Sequence, residues 1–177
     1  MGRKLRNSEL DRLSNEEFVS AKKSPIVVIM DNIRSLNNVG SVFRTADAFL
    51  IEKICLCGIT ATPPHRDIHK TALGAEDTVA WEYHKNTIDC INELKEEGYE
   101  IYSVEQAENS IMLQDFKPKQ NNKFALVFGN EVKGVQQKVV DASNSCIEIP
   151  QFGTKHSFNI SVTAGMVIWE TFKKLKL

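Results

Sequence analysis

Long apolar runs are missing from this chain of 177 residues. None approaches the roughly 18–20 residues that cross a bilayer, which excludes a membrane-spanning helix. The basic opening stretch, MGRKLRNSELDRLSNEEF, has no apolar segment behind it, so no secretory signal is expected. An excess of one charge is missing too. Lys and Arg number 22 against 23 Asp and Glu, a formal net charge of −1, which excludes a polybasic binder but leaves room for a local basic patch. Glycine and proline are sparse, and 42% of residues are hydrophobic, so the chain is not intrinsically disordered. The four cysteines, Cys55, Cys57, Cys90 and Cys146, include no C-x-x-C pair. Cys55 and Cys57 share one face of an apolar run without a histidine beside them. Reduced thiols in a cytoplasmic protein are expected, and no metal. His65 and His69 stand four residues apart, but no carboxylate occupies the metalloprotease position between them. Glycine-rich dinucleotide and P-loop motifs are absent, as is a G-x-S-x-G nucleophile elbow.

What remains is an alternating pattern. Six short apolar runs read as strands: 26–30, 54–57, 79–83, 101–104, 124–128 and 146–149. Several are continuous, as in strands covered on both faces. Helical stretches lie between them. Ser14 and Glu17 form a capping box. Residues 38–49 carry Val39, Val42, Phe43, Ala46 and Phe49 on one stripe. Residues 87–97 are amphipathic and end at Gly98, a suitable cap. Residues 135–142 form a shorter helix, and 159–174 an apolar final one. Two stretches, 60–71 and 106–122, read as long polar loops. Such a pattern predicts a single α/β domain with a mainly parallel sheet flanked by helices, with residues 1–24 as a helical N-terminal extension to a main domain over 25–177.

An open parallel sheet binds its ligand at the carboxyl ends of its strands. Three segments there carry unusual chemistry. After the first strand, Asn37, Asn38 and Gly40 open a helix, with Arg44 one turn beyond Gly40. Asn38 is a candidate cap, Gly40 permits close approach of a ligand or another backbone, and Arg44 suits a phosphate. A capped helix with an ordinary ion pair would read the same way. After the fifth strand, Gly129, Asn130, Glu131 and Gly134 read either as a recognition loop or as a simple turn. After the sixth, Ile149, Pro150 and Gly153 lead to Ser157 and Asn159, where Ser157 alone reads as a helix cap. No Ser-His-Asp triad is supported.

Taken together, the ordered set N-x-G-x-x-x-R, G-N-E-x-x-G and I-P-x-x-G-x-x-x-S-x-N resembles the three motifs of the SpoU/TrmH RNA ribose 2′-O-methyltransferases, in the SPOUT superfamily. The stretch from Thr71 to Ala75 adds to the likeness, which covers about residues 26–170. Several positions depart from the usual pattern. Ser35-Leu36 stands where an acidic residue and proline are common, Leu50 and Val132 where glycine is frequent, and Gln151 and Phe158 where Met and Leu are. A separate N-terminal RNA-binding domain, found in some relatives, is not expected within the 25 or so residues before the first strand.

The resemblance implies a C-terminal trefoil knot, a homodimer with shared active sites, and S-adenosylmethionine bound near Leu126, Gly129, Ile149, Gln151, Ser157, Phe158 and Asn159. It implies methyl transfer to a ribose 2′-hydroxyl of tRNA or rRNA, with Arg44, Asn38, Glu131, Ser157 and Asn159 as the catalytic set. Arg44 matches an arginine sometimes given the role of general base. Deprotonating an arginine near neutral pH costs roughly 7 kcal/mol, so a cation holding phosphate and stabilising the emerging alkoxide is the better role. Asn38 would orient the ribose or Arg44, Glu131 would hold the loops and Arg44, and Ser157 and Asn159 would order the knot loop. RNA contacts are expected from Arg3, Arg6, Arg12, Arg66 and Lys70. The competing reading is a non-catalytic knotted RNA-binding or ribosome-assembly module.

Overall fold

The apolar runs are continuous because the sheet they form is covered on both sides. The computed structural model describes residues 2–177. Its seven strands are β1 (Ser24–Asp31), β2 (Ile51–Cys57), β3 (Trp81–His84), β4 (Tyr99–Val104), β5 (Ile111–Met112), β6 (Lys123–Phe128) and β7 (Ser145–Glu148). They lie in the order β3-β2-β1-β6-β4-β7-β5, and every pair is parallel. Six α-helices precede, connect or follow them: α1 (Asn15–Ser20), α2 (Leu36–Ala48), α3 (Arg66–Ala72), α4 (Thr87–Glu96), α5 (Gln137–Ala142) and α6 (Ile160–Lys176). None is long and apolar enough to cross a membrane.

Side chains alternate between two cores. Ile26, Val28 and Met30 of β1 join Phe124, Leu126 and Phe128 of β6 in the layer under α2, α3 and α6. Val27, Ile29, Ala125 and Val127 point the other way, into the layer that holds Cys90, Ile91 and Leu94 of α4 and Val139 of α5. The larger layer is closed by an aromatic group: Phe49 lies 5.6 Å from Trp169 and 5.3 Å from Phe172 between ring centres.

Local signals hold at several ends. Ser14 and Glu17 form the expected capping box of α1. Gly98, just past the end of α4, has φ of +87°. Leu50 has φ of +50°, in the left-handed region that glycine enters without penalty, so the glycine frequent there in relatives has a backbone cause. Ser35 caps α2, its Oγ accepting the Asn38 N–H at 3.3 Å. Leu36 is then the first helical residue, where proline is favoured; the departure from the usual acidic-Pro pair keeps the cap.

Four expectations need correction. Asn38 is not the cap of α2 but sits inside its first turn, because Ser35 supplies the capping oxygen. Ser157 does not cap α6; Asn159 does, accepting from the Ser161 N–H at 2.9 Å. The third strand runs over Trp81–His84 rather than 79–83: it is an edge strand, and half-buried Glu82 and His84 occupy its inward side, so apolar residues do not mark it. Neither long polar stretch is all loop: 106–122 holds the short edge strand β5, and 60–71 holds a helix. The second half of 60–71 is α3, capped by His65, whose Nδ1 accepts from the Asp67 N–H at 3.1 Å. Only Ile68 and Ala72 of α3 are buried, too few apolar positions for a helical period to be read.

Gly40 explains how α3 is held. A β-carbon there would lie 2.2 Å from the Ile68 carbonyl oxygen and 2.2 Å from Thr71 Oγ1. The glycine thus serves contact between two helices, and Thr71 Oγ1 donates to the Asn37 carbonyl at 3.0 Å across the same seam.

Candidate active site

The chain leaves β1 in one direction to form β2 and β3, while β6 lies on the other side of β1. Loops therefore diverge at the carboxyl ends of β1 and β6, the switch point where open parallel sheets bind ligands. There the three sequence motifs meet. Glu131, after β6, reaches back to the loop after β1. Its Oε2 accepts from the Arg34 N–H and its Oε1 from the Ser35 N–H, each at 3.0 Å. Its Oε1 also accepts from Asn38 Nδ2 at 3.0 Å. Asn38 in turn accepts on Oδ1 from Asn159 Nδ2 at 3.2 Å, and Asn159 caps α6. A single polar chain, Glu131–Asn38–Asn159, thus ties together segments that lie up to 121 positions apart. Burial pushes the Glu131 carboxyl upward, but the backbone donors and the Asn38 amide outweigh it and hold its pKa below the ordinary value.

Beside this clasp lies a cavity of about 620 Å³, a size suited to a small ligand. Its walls come from the end of β4, the loops after β6 and β7, and the first turn of α6. Gly129, Glu131, Ile149, Gln151, Ser157, Phe158 and Asn159 all line it. The turn after β6 is compact. Asn130 and Gly134 exchange backbone hydrogen bonds of 3.0 and 2.9 Å, and Asn130 Nδ2 donates to the Asn32 carbonyl at 2.7 Å. At Gly129 a β-carbon would lie 2.2 Å from the Val135 nitrogen, so only glycine fits where this loop folds on itself. Glu105, Glu131 and Glu148 face the cavity against one lysine, Lys133. That surplus of negative charge suits a ligand carrying cationic groups.

Other sequence candidates are placed elsewhere. Leu126 does not reach the cavity; it is fully buried in the core beneath β6. Asn38 borders it only through Glu131 and Asn159. Arg44 is exposed on α2 and does not line the cavity. Among the described residues its side chain makes no hydrogen bond or ion pair, so the expected contact with Glu131 is not made: Glu131 is filled by the Arg34, Ser35 and Asn38 donors. Arg66 and Lys70 are exposed on α3, and Arg12 is exposed before α1. Arg3 is paired with Glu9, and Arg6 donates its backbone N–H to the same carboxylate at 2.8 Å. His65 and His69 do not act together, since His69 Nδ1 lies 2.5 Å from Glu76 Oε1.

Sequence reasoning missed Glu105 and Gln106. Glu105 Oε2 accepts from the Val135 N–H at 2.9 Å, and Gln106 Nε2 donates to the His156 carbonyl at 2.7 Å. Both stand just past the last residue of β4, a place the strand-end rule marks, but 106–122 read as a loop without motif.

Comparison with known proteins identifies the family and the fold. The model of the SpoU rRNA Methylase family matches residues 25–169. An uncharacterized tRNA/rRNA methyltransferase of Borreliella burgdorferi is 30% identical over 164 residues, covering 91% of this chain and 69% of that protein. The 23S rRNA (guanosine-2′-O-)-methyltransferase RlmB of Neisseria meningitidis is 32% identical over 147 residues, 83% of this chain but 58% of the relative. Among solved structures, the TrmH/SpoU tRNA modifying enzyme of A. aeolicus has a TM-score of 0.79 at 22% identity, over 90% of this chain and 80% of that one. The AdoMet-bound rRNA methyltransferase of Sinorhizobium meliloti has a TM-score of 0.81 at 23% identity, over 90% and 61%. The fold is that of these solved structures, and the chain belongs to the SpoU rRNA methylase family.

Proposed function

We propose that this protein transfers a methyl group from S-adenosylmethionine to a ribose 2′-hydroxyl of tRNA or rRNA, with residues 25–177 as the catalytic unit. The observation that carries the reading is the clasp Glu131–Asn38–Asn159 at the rim of an acidic cavity. The bound cofactor would supply an electrophilic methyl group on a sulfonium. Backbone at Gly129, Ile149 and Gln151 would hold it, and Glu105, Glu131 and Glu148 would balance its positive charge. Ser157, Phe158 and Asn159 would close the side nearest α6. A C-terminal trefoil knot, built from the segments after β6 and β7 and from α6, is part of this reading; the cavity between those segments supports it.

Arg44 would meet the RNA. It lies six residues past Asn38, about 9 Å along α2, and outside the cavity of its own chain. We therefore place it at the cavity of a second copy in a homodimer. Val162 and Trp169 support this, since they lie seven residues apart on one face of α6 and are 51% and 42% exposed. There the guanidinium would grip the phosphate beside the target ribose and stabilise the alkoxide as its proton leaves to the phosphate or to water. α3 packs on α2, so Arg66 and Lys70 extend the same basic face; Arg3, Arg6 and Arg12 would add contacts from the N-terminal segment. The setting is the cytoplasm, where the four cysteines stay reduced.

The test is incubation with methyl-labelled S-adenosylmethionine and RNA lacking native modification. Label in RNA that Arg44→Ala abolishes supports the reading. Cofactor binding without transfer to any RNA would select the non-catalytic binding module instead.

A further inference from the structure

Three thiols and an imidazole meet on the side of the sheet away from α2, outside the cavity. Cys55 and Cys57 project from β2 into the layer under α4, and Cys90 of α4 comes down onto them; all three are fully buried. β3 pairs with β2 so that Glu82 stands opposite Cys55 and His84 opposite Cys57. The absence of a metal was expected because no histidine stands beside the thiols in sequence. Strand pairing supplies one, 27 positions away.

The donor atoms of Cys55, His84 and Cys90 all lie within 4.8 Å of one another. Around a tetrahedral ion with sulfur at about 2.3 Å and nitrogen at about 2.0 Å, such atoms stand about 3.5–3.8 Å apart. Small side-chain rotations close that gap. Cys57 is not one of these three, but it is buried in the same layer with its Sγ 3.9 Å from the Cys55 carbonyl, and rotation of its side chain would bring in a fourth ligand. The imidazole is held as metal-binding histidines are. Glu82 Oε1 lies 3.0 Å from His84 Nε2, and Glu93 Oε2 lies 3.7 Å from Nδ1, so whichever nitrogen takes the ion, the other faces a carboxylate. Glu82 also contacts Cys55 Sγ at 3.3 Å and Lys53 at 2.8 Å. The His84 side chain is 13% exposed, which leaves an entry path at the sheet edge.

We propose that Cys55, His84, Cys90 and Cys57 form a site for one thiophilic d¹⁰ cation, Zn²⁺ or Cu⁺, that staples β2, β3 and α4 together. Sulfur and nitrogen donors of this softness favour those ions over Mg²⁺ or Ca²⁺. On binding, the thiol protons leave to solvent while sulfur lone pairs bind the ion; no electrons are transferred. The site is independent of methyl transfer.

The test uses the full chain, reduced, stripped with a chelator and titrated separately with Co²⁺, Zn²⁺ and, without oxygen, Cu⁺. One equivalent of Co²⁺ should give the thiolate charge-transfer band and visible bands of a tetrahedral ion, and Zn²⁺ should erase both. Zn²⁺ or Cu⁺ should stay with the protein through gel filtration at one per chain and raise its Tm. Retention of Cu⁺ but not Zn²⁺, or the reverse, names the ion. Cys90→Ser and His84→Asn should remove the cobalt bands, Cys146→Ser should keep them, and Glu82→Gln should weaken binding about 10–100-fold. If the variants fail to fold, the wild-type titration decides. No cobalt band and retention of neither ion would overturn the proposal. So would bands that survive Cys90→Ser in a folded protein or vanish in Cys146→Ser, or a Cys55–Cys90 disulfide that forms regardless of metal.

Discussion

Gly40→Ala sets helix propensity against packing, and the two give opposite signs. Propensity alone makes the change stabilising by about 1 kcal/mol in a helix interior. Geometry opposes it, because the new methyl would sit 2.2 Å from the Ile68 carbonyl oxygen and 3.0 Å from the Ala72 nitrogen. Thr71 Oγ1, also 2.2 Å away, can rotate aside only by giving up its bond to the Asn37 carbonyl. The Ile68 carbonyl is helix backbone, so α3 must retreat from α2 by about 1 Å to reach ordinary contact. Overpacking of this kind costs about 1–3 kcal/mol, and the lost hydrogen bond adds about 1 kcal/mol. After the propensity gain, the net loss is about 2 kcal/mol. For a chain of this length that lowers Tm by about 4–8 °C. Urea unfolding followed by circular dichroism should give a lower midpoint at unchanged slope. A Gly40→Ala protein as stable as wild type, or more so, would refute the close-approach argument.

Other residues give sharper functional readings. Arg44→Ala, at an exposed position without a partner, should leave stability within about 0.5 kcal/mol of wild type while abolishing methyl transfer. Mixing it with Asn159→Ala should restore about a quarter of wild-type activity if each site draws on both copies of a dimer; no recovery in mixed dimers would mean that each site takes Arg44 and Asn159 from the same copy. Val162→Asp should convert a dimer to monomer in sedimentation, and an unchanged mass would remove α6 from the interface. Because the Glu131 pKa is lowered, its stabilisation is full above the ordinary carboxylate value of about 4.3 and is lost as pH falls through the lower folded value. The stability gap between wild type and Glu131→Gln should therefore shrink in acid; a gap that does not change with pH would rule out the ionised carboxylate as the clasp. Asn159→Ala should cost about 1 kcal/mol as a lost cap, measured by urea unfolding.

Much of the fold was legible because both faces of the sheet are covered. Strands such as 26–30 and 124–128 are apolar throughout, and that signal survives without any partner in view. It fails at the edge, where β3 carries Glu82 and His84 on its inward side, and in α3, where two buried residues make no period. At the site, residue types and spacing were legible, whereas pairing was not. Nothing local tells Glu131 to take the Arg34 and Ser35 N–H groups rather than the Arg44 guanidinium, since that choice is made by how closely β1 and β6 lie. Likewise, a histidine 27 positions from Cys57 becomes its neighbour only through the register of β2 and β3.

Most direct for the central claim is a nucleoside analysis of RNA labelled by this protein from methyl-labelled S-adenosylmethionine. After complete digestion, mass spectrometry separates 2′-O-methylnucleosides from base-methylated ones. The account predicts label confined to a 2′-O-methylnucleoside and absent with Arg44→Ala. Label on a base, or label that persists with Arg44→Ala, would contradict it.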